Sequence, residues 1–266
     1  SQLFMANLWI TPDVLSWDWR VASESPLYGD SWRRPYQMWH HAETVIATGQ
    51  GEFSRTEVVT TLKRAIDHRV RAIMDIYELR GLPLHEKPKD HIELIEFVGL
   101  IRPMMVNRLV SIRNAVEHED ESPPSVGECE VFVEFVWYFL RSTDRVARSL
   151  IFSIEASELN PEEYENSMRP YGFELEIGPE VSWTPKLHGR FRKEWVSDSS
   201  MVGWPLFSVA KIKSGAEVIA KLAATADSLD KMLAQTIDPT DLFIDGELRG
   251  PASILRDLYR RYFEVP

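Results

Sequence analysis

The stretch that most narrows what this chain can become is "SRTEVVTTLKRAIDHRVRAIMDIYELRG", residues 54–81. Val58, Leu62, Ile66, Val70, Ile73 and Tyr77 recur along it at helical spacing, so one side of a long helix is apolar and has to be buried. Ser54, with Glu57 three residues on, reads as a capping box, and Gly81 as the stop. Most of the stability of such a helix comes from packing, so its neighbours must supply the rest of a helical core.

The neighbouring segments have that character. "PYQMWHHAETVIATG" places Pro35 in a first turn and Gly49 just past a last one. "DHIELIEFVGLIRPMMVNRLVSIRNAVEH" is helical on both sides of Pro103, where a kink or break is expected. Met105, Leu109, Ile112 and Val116 form the buried stripe of its second half. After "EDESPP" another helix opens at Ser125, with Cys129, Phe132, Val133, Val136, Trp137 and Leu140 on a broad apolar face, and runs to about Ser149. Four sizeable helices with short connections predict an antiparallel bundle over residues 35–149.

The flanks differ. Residues 1–34 read as an irregular arm carrying Trp9, Trp17, Trp19 and Trp32, packed across a core or a partner. Beyond Leu150, "LIFSIEAS", "FELEIGPEVSW", "KLHGRFRKEWVS" and "LFSVAKIKSGAEVIAKLAAT" read as strands or hairpins, with Ser214-Gly215 as a tight turn. Within the last of these, "AEVIAKLAA" is equally open to a helical reading. "DSLDKMLAQTI" and "GPASILRDLYRRYF" read as helices. The expected fold class is therefore α+β, a helical bundle followed by a smaller strand-rich α+β unit over residues 150–266.

Charge and composition limit the function classes. Apolar content of 44% and charged content of 27% are ordinary for a globular protein. Cys129 is the single cysteine, so an intrachain disulfide is impossible. No apolar run approaches the roughly 18 residues of a membrane span, and the expectation is a cytoplasmic protein with no membrane partner. A net charge of −11 works against polyanion binding, so contact with RNA would have to rest on cations concentrated locally. The one such concentration is "KLHGRFRKEW". Read as a strand, it turns Lys186, His188, Arg190 and Arg192 to one face. That face could follow an RNA backbone, extended by Arg256, Arg260 and Arg261 or by Arg69 and Arg71. The plain alternative is an edge strand protected by charge.

Metal chemistry finds little support. Asp238, Asp241, Asp245 and Glu247 lack the spacing of a calcium loop and read as turn and cap residues. His40, His41, Glu43 and His68 read as helix surface. No metal and no cofactor are expected.

The remaining motif is "SIRNAVEHEDESPP". Arg113-Asn114-Ala115-Val116-Glu117-His118 falls at the end of the third helix of the array, before an acidic, proline-rich break. This arrangement resembles the HEPN superfamily (higher eukaryotes and prokaryotes nucleotide-binding), over residues 35–149 at most. The resemblance implies a homodimer with two motifs facing each other, and metal-independent RNA cleavage in catalytic members. It makes Arg113, Asn114 and His118 the catalytic set, in a toxin or antiphage-defence effector that a protein partner or antitoxin would restrain. The residues suit that chemistry. An imidazole can take the proton of a ribose 2′-hydroxyl or give one to the leaving 5′-oxygen. A guanidinium offers a fork of donors to the phosphoryl oxygens, and Asn114 could orient the histidine or bind phosphate. On an ideal helix a five-residue separation is a rotation of about 140°, so Arg113 and His118 meet only if the helix frays or two copies contribute. The alternatives are a helix end where Arg113 pairs with Glu117, a non-catalytic dimerisation module, and a nucleotide-binding sensor.

Overall fold

The computed structural model describes residues 6–49, 51–102, 104–118, 122–158, 171–204, 206–225 and 227–264, with the side chains of Ala6, Met105, Glu117, His118 and residues 206–210 outside that description. The chain forms two compact units, one of Ser25–Leu150 and one of Ser1–Glu24 with Ile151–Pro266. Helix and antiparallel strand are both present, so the class is α+β.

The helical unit is organised around α2 (Glu52–Ile76). It buries Val58, Val59, Leu62, Ala65, Ile66, Val70, Ile73 and Met74 against α1 (Arg33–Thr48), α3 (His91–Phe97), α4 (Met104–His118) and α5 (Val126–Ser142). The helix opens at Gly51, whose φ of 91° suits a residue without a side chain, and not through a Ser54–Glu57 capping box. It ends at Ile76 rather than near Gly81, because Tyr77 turns inward, is fully buried and donates its hydroxyl to the Ser149 carbonyl at 2.7 Å. The expected break before α4 is present, with α3 closing at Phe97 and α4 opening at Met104, although Pro103 lies outside the described residues. The capping box at Ser125 is formed with Glu128. The helix it opens stops at Ser142 rather than near Ser149, and a short α6 (Asp144–Arg148) precedes a strand that begins at Ser149.

The second unit is a single eight-stranded sheet in the order β2-β3-β4-β5-β8-β7-β1-β6. Its strands are β1 (Ala6–Ile10), β2 (Asp18–Pro26), β3 (Ser149–Ser157), β4 (Gly172–Gly178), β5 (Ser182–Phe191), β6 (Val196–Ser197), β7 (Leu206–Ser214) and β8 (Leu242–Leu248). The N-terminal segment is thus no irregular arm: β1 and β2 are strands of this sheet, and Trp17 and Trp19 pack on Phe173 of β4. That placement redraws the expected division at residues 34 and 150, since residues 1–24 belong with the C-terminal segment. The β8 strand was also not anticipated: Asp245 and Glu247, expected in turn and cap roles, alternate along it with Ile244, Gly246 and Leu248.

Ser214-Gly215 is not a hairpin turn. Ser214 caps α7 (Gly215–Ala223) with Glu217 as its capping-box partner. α8 (Ser228–Ala234) and α9 (Ala252–Glu264) follow as expected. One face of the sheet is closed by α9: Tyr259 donates to the Trp183 carbonyl at 2.8 Å and Tyr262 to the Ile151 carbonyl at 2.6 Å. Both tyrosines are fully buried, and both lie edge-on to the Trp183 ring.

Candidate functional site

The first half of α4 is anchored and the second half is more open. Val106 and Leu109 are buried, and α4 packs against α2. Ile112 and Val116, which continue the same stripe, are only half-buried, so the expected buried stripe is incomplete. Beside them Arg113 is half-buried and Asn114 exposed. Arg113 Nη1 donates to Asn114 Oδ1 at 3.0 Å, so the asparagine positions the guanidinium. The helix is regular through His118. Within one copy the backbone therefore holds residues 113 and 118 about 140° apart around the helix and roughly 7.5 Å apart along it. The side chains of Glu117 and His118, and with them the Arg113–Glu117 pairing, lie outside the described residues.

The connection after the motif returns to α5 through a defined cap. Ser125 Oγ accepts the Glu128 N–H at 3.3 Å, and Glu128 Oε2 accepts the Ser125 N–H at 3.1 Å. Arg108 of α4 reaches Glu128 Oε1 at 3.2 Å. The bonds from Ser125, and then the charge of Arg108, hold the Glu128 carboxyl below its usual range.

The predicted basic face of β5 is arranged differently from the expectation. Lys186, His188 and Arg190 share a face, but carboxylates from both neighbouring strands stand beside them. Lys186 lies between Glu176 of β4 and Glu247 of β8. His188 lies between Glu174 and Asp245; its Nδ1 is 3.0 Å from Asp245 Oδ1 and its Nε2 3.8 Å from Glu176 Oε1. Arg190 is 6% exposed, bonded to Asp241 at 2.7 Å and to the Thr236 carbonyl at 2.8 Å. Arg192 lies beyond the strand end, paired with Glu158 at 3.1 Å and stacked over Tyr171 and Trp195. These four residues therefore form a charge-compensated surface rather than a free cationic track, Lys186 and His188 through cross-strand carboxylates and Arg190 and Arg192 through ion pairs to Asp241 and Glu158. Arg69, a proposed extension of that track, is fully buried in the helical unit against Asp144.

Among the described residues no group of histidine, cysteine and carboxylates could hold a metal ion, and no helix is long and apolar enough to cross a membrane. Asp238 serves a turn, accepting the N–H and hydroxyl of Thr240, as the sequence suggested. Asp241 anchors Arg190, a role that spacing along the chain could not indicate. Set beside known protein families, curated sequences and solved structures, the chain matches none.

Proposed function

We propose that the chain is a metal-independent endoribonuclease of the HEPN type that works as a homodimer, its composite site built from Arg113, Asn114 and His118 of two α4 helices. The observation that carries this reading is the regularity of α4 through His118. On a regular helix residues 113 and 118 point to different sides, which favours a site shared between two copies. The half-open stripe of Ile112 and Val116 beside Arg113 is the surface on which a second α4 would pack. In that arrangement one imidazole removes the 2′-hydroxyl proton and the second protonates the leaving 5′-oxygen, while the guanidinium held by Asn114 takes the charge growing on the phosphoryl oxygens. The products are a 2′,3′-cyclic phosphate and a free 5′-hydroxyl. A cytoplasmic toxin or defence effector under a protein inhibitor is the biological setting that such an activity suits.

A second reading has one observation in its favour. The compensated face of β5 offers RNA no cationic path, which fits a non-catalytic interaction module better than a nuclease that grips long substrates. Cleavage of total RNA in the presence of EDTA decides between them, using wild type, Arg113→Ala and His118→Ala, with product ends read and mass in solution measured by light scattering. The nuclease reading expects a dimer whose EDTA-resistant cleavage leaves cyclic phosphate ends and falls at least about 100-fold in either variant. Cleavage that survives both substitutions, or a strictly monomeric active protein, would refute it.

A further inference from the structure

The open face of the sheet carries a cleft of about 720 Å³ within the second unit, floored by β3, β4, β5, β8 and β7 and walled by α7. That is a usual size for a small-ligand site. Its floor follows one transverse row of paired positions: Glu155–Glu174–His188–Asp245–Lys211. The row is polarised. Glu155 and Glu174 hold the β3 and β4 end; Lys211 and Lys213 of β7, joined by Lys221 of α7, hold the other, with Asp245 of β8 and Glu217 of α7 beside them.

The lysines face the cleft because of a backbone irregularity. The β7–β8 register runs Val209↔Gly246 and then Lys211↔Asp245, so Ala210 is an extra residue on β7. Such a bulge reverses which side chains face which side of a sheet. Without it, Ile212 would fall among the cleft positions and both lysines would turn to the opposite face of the sheet. The three lysines are exposed, and none has an ion-pair or hydrogen-bond partner among the described residues. The carboxylates nearby are engaged elsewhere: Glu217 in the Ser214 cap, Asp245 with His188, and Glu155 with Arg20 at 2.5 Å. In a chain of net charge −11, three exposed lysines lining one cleft, with no ion pair of their own among the described residues, mark an anion position, beside Asp245 opposite Lys211 and Glu217 within reach of the Lys213 charge.

We infer that this cleft binds a nucleoside monophosphate, its phosphate on Lys211, Lys213 and Lys221 and its base and ribose toward Phe243, His188, Asp245 and Glu174. The occupant must be anionic at one end and rich in hydrogen-bond donors at the other. Three strand steps separate β7 from β4, roughly 14 Å at the usual strand spacing. A free amino acid is too short to span that distance. A polyanion would meet Glu155 and Glu174. A nucleotide has the required length and polarity, with ribose hydroxyls and base amino groups as donors to the carboxylates. The half-buried Phe243 ring, one strand step from Lys213 and beneath the Arg190 guanidinium, lies under the ribose part of that path. This site is separate from the α4 motif and does not depend on its activity.

Calorimetric titration of the full chain with AMP, GMP, CMP and UMP tests the inference, with adenosine and inorganic phosphate as separate probes. At least one nucleotide should bind with one-to-one stoichiometry, and adenosine or phosphate alone should bind at least about tenfold more weakly. Replacing both lysines, Lys211→Gln with Lys213→Gln, should weaken nucleotide binding by about 100-fold, one charged hydrogen bond being worth about tenfold. Both positions are exposed, so the variant should fold. Lys193→Gln and Arg113→Ala should bind as wild type. The inference is overturned if no nucleotide saturates, if the double variant binds as wild type, if phosphate alone binds as tightly as nucleotide, or if Arg113→Ala abolishes binding.

Discussion

Asp144→Ala should be among the most damaging single substitutions in the helical unit. Arg69 is wholly buried, and its Nη1 and Nη2 both donate to Asp144 Oδ1 at 3.0 Å. Tyr36 donates to Asp144 Oδ2 at 2.9 Å and presents its ring to the same guanidinium. Removing the carboxylate leaves a buried cation with, among the described residues, the Trp32 carbonyl at 3.5 Å and the Tyr36 ring but no counter-charge. At an effective dielectric of ~20, opposite charges 4 Å apart attract by about 4 kcal/mol. Breaking one side of a buried pair costs about 3–5 kcal/mol, which agrees. With a urea dependence of about 2 kcal/mol per molar, the unfolding midpoint should fall by roughly 2 M. Far-UV circular dichroism in urea reads this directly. Asp144→Asn, which keeps an acceptor and loses the charge, should fall between the two. The double variant Arg69→Met with Asp144→Leu should recover most of the loss, because no charge is then left unpaired. A loss below about 1 kcal/mol in Asp144→Ala would refute the argument, since Arg69 would have to be solvated or paired in some other way.

Three further outcomes follow from the geometry. Gly215→Ala would drive a methyl group onto the Asp238 carbonyl oxygen, deep inside van der Waals contact with backbone that cannot yield, so a loss of about 1–3 kcal/mol is expected and an unchanged melting temperature would contradict the close approach. The capping carboxyls Glu128 and Glu217 are held below their ordinary value of 4.5 by bonds from Ser125 and Ser214. The folded state therefore binds fewer protons than the unfolded one; the caps contribute fully above 4.5 and fade as pH falls through the lowered folded values, so Ser125→Ala, costing about 1 kcal/mol at neutral pH, should cost less in acid, as melts across that range would report. Burial pushes the Cys129 thiol up to about 11, so the native protein at pH 8 should resist a thiol reagent that labels it at once in denaturant, and rapid stoichiometric labelling without denaturant would place Cys129 at a surface.

The helical half of the molecule was largely legible in the sequence because its signals are local. Leu62, Ile66, Val70 and Ile73 are buried where their spacing put them, and Ser125 caps α5 where its glutamate partner predicted. The ends of the helices were less legible. Tyr77 leaves α2 to reach the Ser149 carbonyl, a partner that no local pattern names. The reading of Arg113, Asn114 and His118 came from a motif, and the structure adds that Asn114 holds Arg113 on a helix that stays regular.

The sheet was legible only in pieces. The sequence pattern found β3, β4, much of β5 and β7, but pairing partners are chosen across long stretches of chain, and the residues opposite Lys186, His188 and Arg190 decide what those cations can do. Periodicity and capping act over a few residues, so the α+β class, the helical core around α2 and the position of the Arg113–His118 motif are legible in the chain alone. Three-dimensional pairing was needed to see that the N-terminal strands complete a C-terminal sheet, that Arg190 is buried against Asp241, and that an extra residue at Ala210 turns Lys211 and Lys213 into a cleft. Register and burial depend on contacts between residues far apart in the chain, and such contacts leave no periodic mark on either segment alone.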